Sequence, residues 1–77
     1  MDKFVVITLN SVYTVVSTAT GNYVTGRATF DSRSVLPTDQ LLSGKVKVDA
    51  EVGKRMAFED PMLGLVTTSN VLMVIAL

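Results

Sequence analysis

The chain has 77 residues, 48% of them hydrophobic and 18% charged, with seven basic and seven acidic side chains and neither Cys nor His. A chain this short buries only about 60% of the surface it exposes when unfolded, so its core is thin. No disulfide framework and no ordinary zinc site can reinforce it.

A partner is the remaining reinforcement. An average domain is roughly 25% charged, so the surface left after folding is unusually apolar, and the expected state is a homo-oligomer. The charges are balanced locally as well as globally. Lys3, Arg27 and Arg33 face Asp2 and Asp31 in the first half, and Lys45, Lys47, Lys54 and Arg55 face Asp39, Asp49, Glu51, Glu59 and Asp60 in the second. Neither half is a basic arm that would draw in nucleic acid or anionic lipid. The longest apolar run, residues 71–77, falls well short of the roughly 20 residues of a membrane helix. Residues 4–9 are too short, and too weakly preceded by positive charge, for a signal peptide. The expected setting is therefore cytoplasmic, with no membrane partner and no cofactor.

In chain order, residues 4–9 are β-branched and apolar without a helical stripe and predict a first strand. Asn10 and Ser11 interrupt it, and residues 12–19 resume as strand. Residues 20–22 contain Gly21 and Asn22, which suit a tight turn, so residues 23–31 should return antiparallel. In that returning strand Val24, Ala28 and Phe30 share a face with Gly26 and predict the core side. Tyr23, Thr25, Arg27, Thr29 and Asp31 share the other. Gly26 in mid-strand signals a bulge or a close backbone approach.

Residues 32–44 read as a long connection. Thr38 can cap a short helical turn near 38–42, after Pro37 and before Gly44. Residues 45–52 alternate strictly, which argues against a helix over 49–58 and predicts Val46, Val48, Ala50 and Val52 inward. Lys45, Lys47, Asp49 and Glu51 then point outward. Residues 53–55 turn the chain, 56–58 return it, and 59–64 turn it again before the tail.

The tail closes with seven apolar residues, Val71, Leu72, Met73, Val74, Ile75, Ala76 and Leu77. A strand with one wet face would alternate, so this one is expected to be covered on both faces, inside a barrel, between sheets or under a second subunit. Residues 7–16 and 66–75 echo one another without a gap. Each has an apolar-Thr strand end, a polar step of Asn and Ser, and a valine-rich strand. Asn and Ser suit any turn or bulge; alternatively the first and last strands occupy related positions and pair, closing the sheet.

Residues 64–71, Gly-Leu-Val-Thr-Thr-Ser-Asn-Val, resemble the end of an SH3 domain, where a strand opened by Gly leads through a Ser-Asn turn into the last strand. The resemblance implies geometry only. The Trp and the acidic aromatic segment with which SH3 domains bind Pro-rich peptides are missing. The expected fold is all-β, a small five- to six-stranded barrel of SH3-like or OB-like kind, forming a single domain over residues 1–77.

Catalytic instruments are few without imidazole or thiol. Asp49 with Glu51, and Glu59 with Asp60, are the carboxylate pairs that could share acid and base roles or hold a hard cation. The first pair lies on a face with Lys45 and Lys47, which reads as a solvated face with ion pairs. Asp60-Pro61 reads as a turn initiator. Gly53-Lys54 lacks the spacing of a phosphate loop. The expectation is a non-enzymatic binding or structural module that self-associates through Val71, Leu72, Met73, Val74, Ile75 and Leu77. Its size and β-branched composition suit a phage or mobile-element accessory protein.

The alternative is a small barrel that binds single-stranded nucleic acid on Tyr23, Arg27, Lys45 and Lys47, by stacking beside a basic groove. The interleaved acids limit what counterion release can add there. Of the methionines, Met56 and Met73 are expected in strand cores, and Met62, beside Pro61, is expected to be exposed and available to a protein partner.

Overall fold

Runs of β-branched and aromatic residues become strands wherever a neighbouring run can complete the hydrogen-bond ladder. The computed structural model describes residues 2–29 and 40–77. It contains β1 (Asp2–Thr8), β2 (Ser11–Thr18), β3 (Gly21–Thr29), β4 (Gln40–Val48), β5 (Arg55–Asp60) and β6 (Gly64–Ala76). Each strand pairs antiparallel with the next in sequence, and β6 returns to β1, so one six-stranded sheet closes in a ring. No strand crosses over another, which makes the path an up-and-down meander rather than a Greek key.

β6 closes the ring by serving two neighbours in succession. Its first part pairs with β5, from Asp60↔Gly64 to Arg55↔Asn70. Its second part pairs with β1, from Thr8↔Val71 to Phe4↔Ala76. The first and last strands do pair, but the echo does not map onto that pairing: most of its first segment, residues 11–16, lies in β2, whose partners are β1 and β3, and only Ile7 and Thr8 of it meet β6. The Ser69-Asn70 step, expected as a turn by its likeness to the SH3 end, is instead continuous strand within β6.

The core lies inside the ring. Val6, Tyr13, Val15, Val24, Met56, Phe58 and Val71 are buried together, with Phe4, Val46, Ala50 and Val66 packed against them. The rings of Tyr13 and Phe58 meet edge to face, with centroids 5.7 Å apart and planes at 65°, a geometry that places a positive ring edge on a negative face. Phe58 lies over Gly44 so closely that a Cβ there would fall 2.4 Å from its Cδ2. Only a residue without a side chain lets the ring reach the sheet at that point.

Two buried threonines repair the ladder where it breaks. Thr8 Oγ1 donates to the Ser11 carbonyl at 3.0 Å and accepts from the Ser11 N–H at 3.1 Å. It closes the Leu9-Asn10 turn between β1 and β2. At the register shift between Arg55 and Ala57, the Met56 N–H goes to Thr68 Oγ1 at 3.0 Å, and Thr68 Oγ1 donates to the Ser69 carbonyl at 2.7 Å. Buried backbone donors are almost always satisfied, and here side chains replace the missing strand partner. In the β2–β3 hairpin Thr18 pairs with Gly21 across Ala19 and Thr20, and the positive φ of the connection, 134°, falls on Gly21.

Several expectations are corrected. The short helical turn near 38–42 is not found: residues 40–42 open β4, held to β3 through Arg27↔Gln40 and Gly26↔Leu41, while 38 and 39 lie outside the described residues. So do Phe30 and Asp31, and the 32–39 part of the expected connection. In β3 the inward set is Val24 and then Arg27, the register partner of buried Tyr13, rather than Ala28. The cause is the bulge that leaves Thr25 between Thr14↔Gly26 and Val15↔Val24. One extra residue exchanges the faces of everything beyond it. Gly26 was the sequence signal for that bulge.

In β4 a second shift, between Val46 and Val48, takes Val48 out of the inward series, and the strand ends there. Residues 49–52 leave the ladder. Val48 and Val52 are 52% and 63% exposed rather than buried, and Val52 makes only an isolated bridge to Val71. Among the described residues no helix is long and apolar enough to cross a membrane.

Candidate functional site

Beyond Val71 the tail is strand, but among the described residues nothing covers it. Val71 is buried, whereas Leu72, Met73, Val74, Ile75 and Leu77 are 52, 51, 40, 40 and 74% exposed. The expectation of cover on both faces therefore fails within one chain. The reason is geometric: β5 reaches only to the level of Asn70, so from Leu72 onward β1 is the only described strand that flanks β6. Met73, expected in a core, is exposed for the same reason. Met56 is fully buried, and Met62, 91% exposed in the β5–β6 turn, stands where it was expected.

The register shows what lies beside the tail. Ile75 is opposite Val5 and Met73 opposite Ile7 on β1, and the same positions face Thr14 and Val12 on β2. Opposed residues in a ladder share a face. Val6 and Phe4 point into the core, so Val5, Ile7, Met73 and Ile75 form an apolar strip on the outer face. Sequence reasoning found the Met73–Ile75 side of this strip but not the Val5–Ile7 side. The uninterrupted apolar run at residues 4–7 was its signal. A second exposed apolar group, Met62, Leu63 and Leu65, sits at the β5–β6 turn.

Of the four residues expected to form a binding platform, the structure brings two together. Tyr23 is the register partner of Lys45 across β3 and β4. Lys45 is in turn opposite Glu59, and Glu59 opposite Leu65, so an acid follows the base along the row. The Tyr23 hydroxyl shares a hydrogen bond with Thr20 Oγ1 at 3.1 Å. Arg27 leaves the platform because the Thr25 bulge turns it to the inner side, where its Nε is buried. Lys47 is exposed at the β4 bulge. The expected row of Tyr23, Arg27, Lys45 and Lys47 is thus broken by two bulges.

The carboxylates are engaged locally. Asp49 accepts from Asn22 Nδ2 at 3.3 Å, and Glu51 pairs with Lys54 at 3.4 Å with both side chains mostly in water. Asp60 is buried, and its Oδ1 accepts the N–H groups of Met62 and Leu63 at 2.8 and 3.0 Å. It thereby fixes the turn that Pro61 enters. Among the described residues no group of three or more acidic side chains gathers where it could hold a metal ion. Comparison with protein-family models, with curated proteins and with solved structures finds no match for this chain.

Proposed function

We propose that the protein is a non-enzymatic binding or structural module that works as a homo-oligomer, built on a small six-stranded antiparallel barrel. The observation that carries this reading is the half of β6 beyond Val71. It is strand, apolar at every position, and exposed on both faces. Solitary soluble domains rarely leave such a surface open, and a second copy supplies apolar cover without any charge to match. A phage or mobile-element accessory protein is the setting in which we place such a module, on its size and β-branched composition. Sedimentation velocity of the full chain at micromolar concentration tests the reading. A dimer or larger closed assembly is the expected result, and a clean monomer would overturn it.

A second reading rests on Tyr23 beside Lys45 on the outer face, an aromatic surface next to a cation of the kind on which single-stranded nucleic acid stacks. Glu59 opposite Lys45 weakens the local field. Anisotropy of a labelled oligonucleotide, rising with protein and collapsing with salt, would favour this alternative. A flat titration would remove it.

A further inference from the structure

Resting on that reading of self-association, we infer that two copies join edge to edge through the open edge of β6, antiparallel about a two-fold axis at Ile75. The argument begins with the backbone. Leu77 N–H donates to the Lys3 carbonyl at 2.9 Å, and Ile75 and Met73 face Val5 and Ile7. Backbone groups in an antiparallel strand alternate in direction residue by residue. Met73, Ile75 and Leu77 therefore bond to β1, and the N–H and C=O groups of Val74 and Ala76 point to the opposite edge. On that edge the last contacts are Gly53 N–H to the Val71 carbonyl and Val71 N–H to the Lys54 carbonyl, both 2.8 Å. No described strand pairs with the edge beyond them.

Open edges of this kind are normally blunted by Lys, Pro or a covering loop. Residues 72–77 contain no charge, no Pro and no Gly, and they are exposed. The orphan backbone groups call for another β-strand, and the lack of charge calls for an equally neutral one. The same strand of a second copy meets both conditions. A two-fold axis at Ile75 lets Val74 of each copy exchange both hydrogen bonds with Ala76 of the other, so that every outward-directed backbone group at these positions is paired. Met73 then lies opposite Leu77 of the second copy on the outer face, continuing the strip that Val5 and Ile7 begin.

The area is a ceiling. With side chains 40–74% exposed, residues 72–77 present on the order of 500 Å² per copy. Edge pairing covers at most about 1,000 Å² over the two copies, the lower limit for a specific interface, so the paired backbone groups contribute alongside apolar burial. Isologous pairing also uses each edge once and leaves no open end, so it stops at two.

The chain has no Cys, so a single introduced thiol reports on the geometry. Across the axis, two residues at position 75 would form a non-hydrogen-bonded pair with Cα atoms about 4.5 Å apart, within the range a disulfide spans. Ile75→Cys should oxidise to a covalent dimer at least ten times faster than Met62→Cys, whose exposed site lies in the β5–β6 turn. Equal rates from a protein that still sediments as a dimer would overturn edge pairing and leave self-association standing. Monomers with no cross-link at either site would overturn both.

Ala76→Pro removes an N–H that faces the open edge and spares the bonds to β1. It should shift sedimentation to the monomer while the far-ultraviolet circular dichroism of the sheet is retained. A folded Ala76→Pro protein that remains dimeric would contradict the inference. If this variant loses the sheet signal, the ratio of cross-linking rates decides the matter alone.

Discussion

Gly44→Ala tests the packing that the closed sheet depends on. The added Cβ would lie 2.4 Å from Phe58 Cδ2, 3.1 Å from Cε2 and 3.3 Å from the Glu59 carbonyl. The ring cannot simply retreat, because Phe58 is fully buried and its other side meets Tyr13 edge to face. Overpacking a core usually costs about 1–3 kcal/mol, and with an aromatic ring and a backbone carbonyl both in the way the upper end applies, about 3 kcal/mol. For a domain of this size that is a fall in melting temperature of roughly 12–24 °C. Thermal denaturation followed by circular dichroism measures it directly. Phe58→Leu should reduce the cost of Gly44→Ala, since a smaller side chain vacates the space, and a double-mutant cycle would report a coupling of about 1 kcal/mol or more. A Gly44→Ala protein that melts within about 2 °C of the parent would refute the reasoning, because such a shift is well under 1 kcal/mol.

Thr8→Val keeps the shape of a buried residue but removes both hydrogen bonds to Ser11. Leaving a buried donor and acceptor unpaired should lower stability in urea by about 1–3 kcal/mol, whereas Thr8→Ser should stay near the parent. Asp60→Ala strips the Met62 and Leu63 N–H groups of their acceptor and should cost about 2 kcal/mol. Asp60→Asn, which keeps an oxygen there, should recover most of it. Glu51→Ala breaks an ion pair that lies in water and should change stability by less than about 0.5 kcal/mol, and by less still at high salt; a larger loss in the same urea titration would show a structural role for residues 49–54.

What the sequence disclosed and what it withheld divide along the reach of each signal. Strand content and the β2–β3 hairpin are local patterns, and β-branched runs with Gly-Asn punctuation record them; the pairing of the last strand with the first is suggested by an echo that falls mostly on β2. Bulges are different. A bulge at Thr25 or at Lys47 leaves no mark in the composition while exchanging the faces of Arg27 and Val48, so simple alternation places the candidate platform one residue out of phase. Leu41 and Leu42 after a capping Thr suggest a helical turn, and tertiary pairing with β3 overrides that preference. The apolar run of the tail marks it as strand but not what covers it, because the point at which β5 stops is set by the Gly53 turn and not by β6. Thr8 and Thr68 were missed as structural side chains because nothing in their neighbourhood distinguishes them from surface threonines.

Consecutive strands form five of the six ladders, so their partners are near in sequence. The remaining one joins the two ends of the described chain, Phe4 to Ala76, and its closure entropy is not repaid until the other ladders have brought those ends near one another. Ring closure should thus be the late event in folding. During that interval a neutral β-forming heptapeptide has neither edge satisfied, and in a concentrated cell it would find other chains as readily as its own first strand. The moment of greatest aggregation risk for this protein lies just before its ends meet.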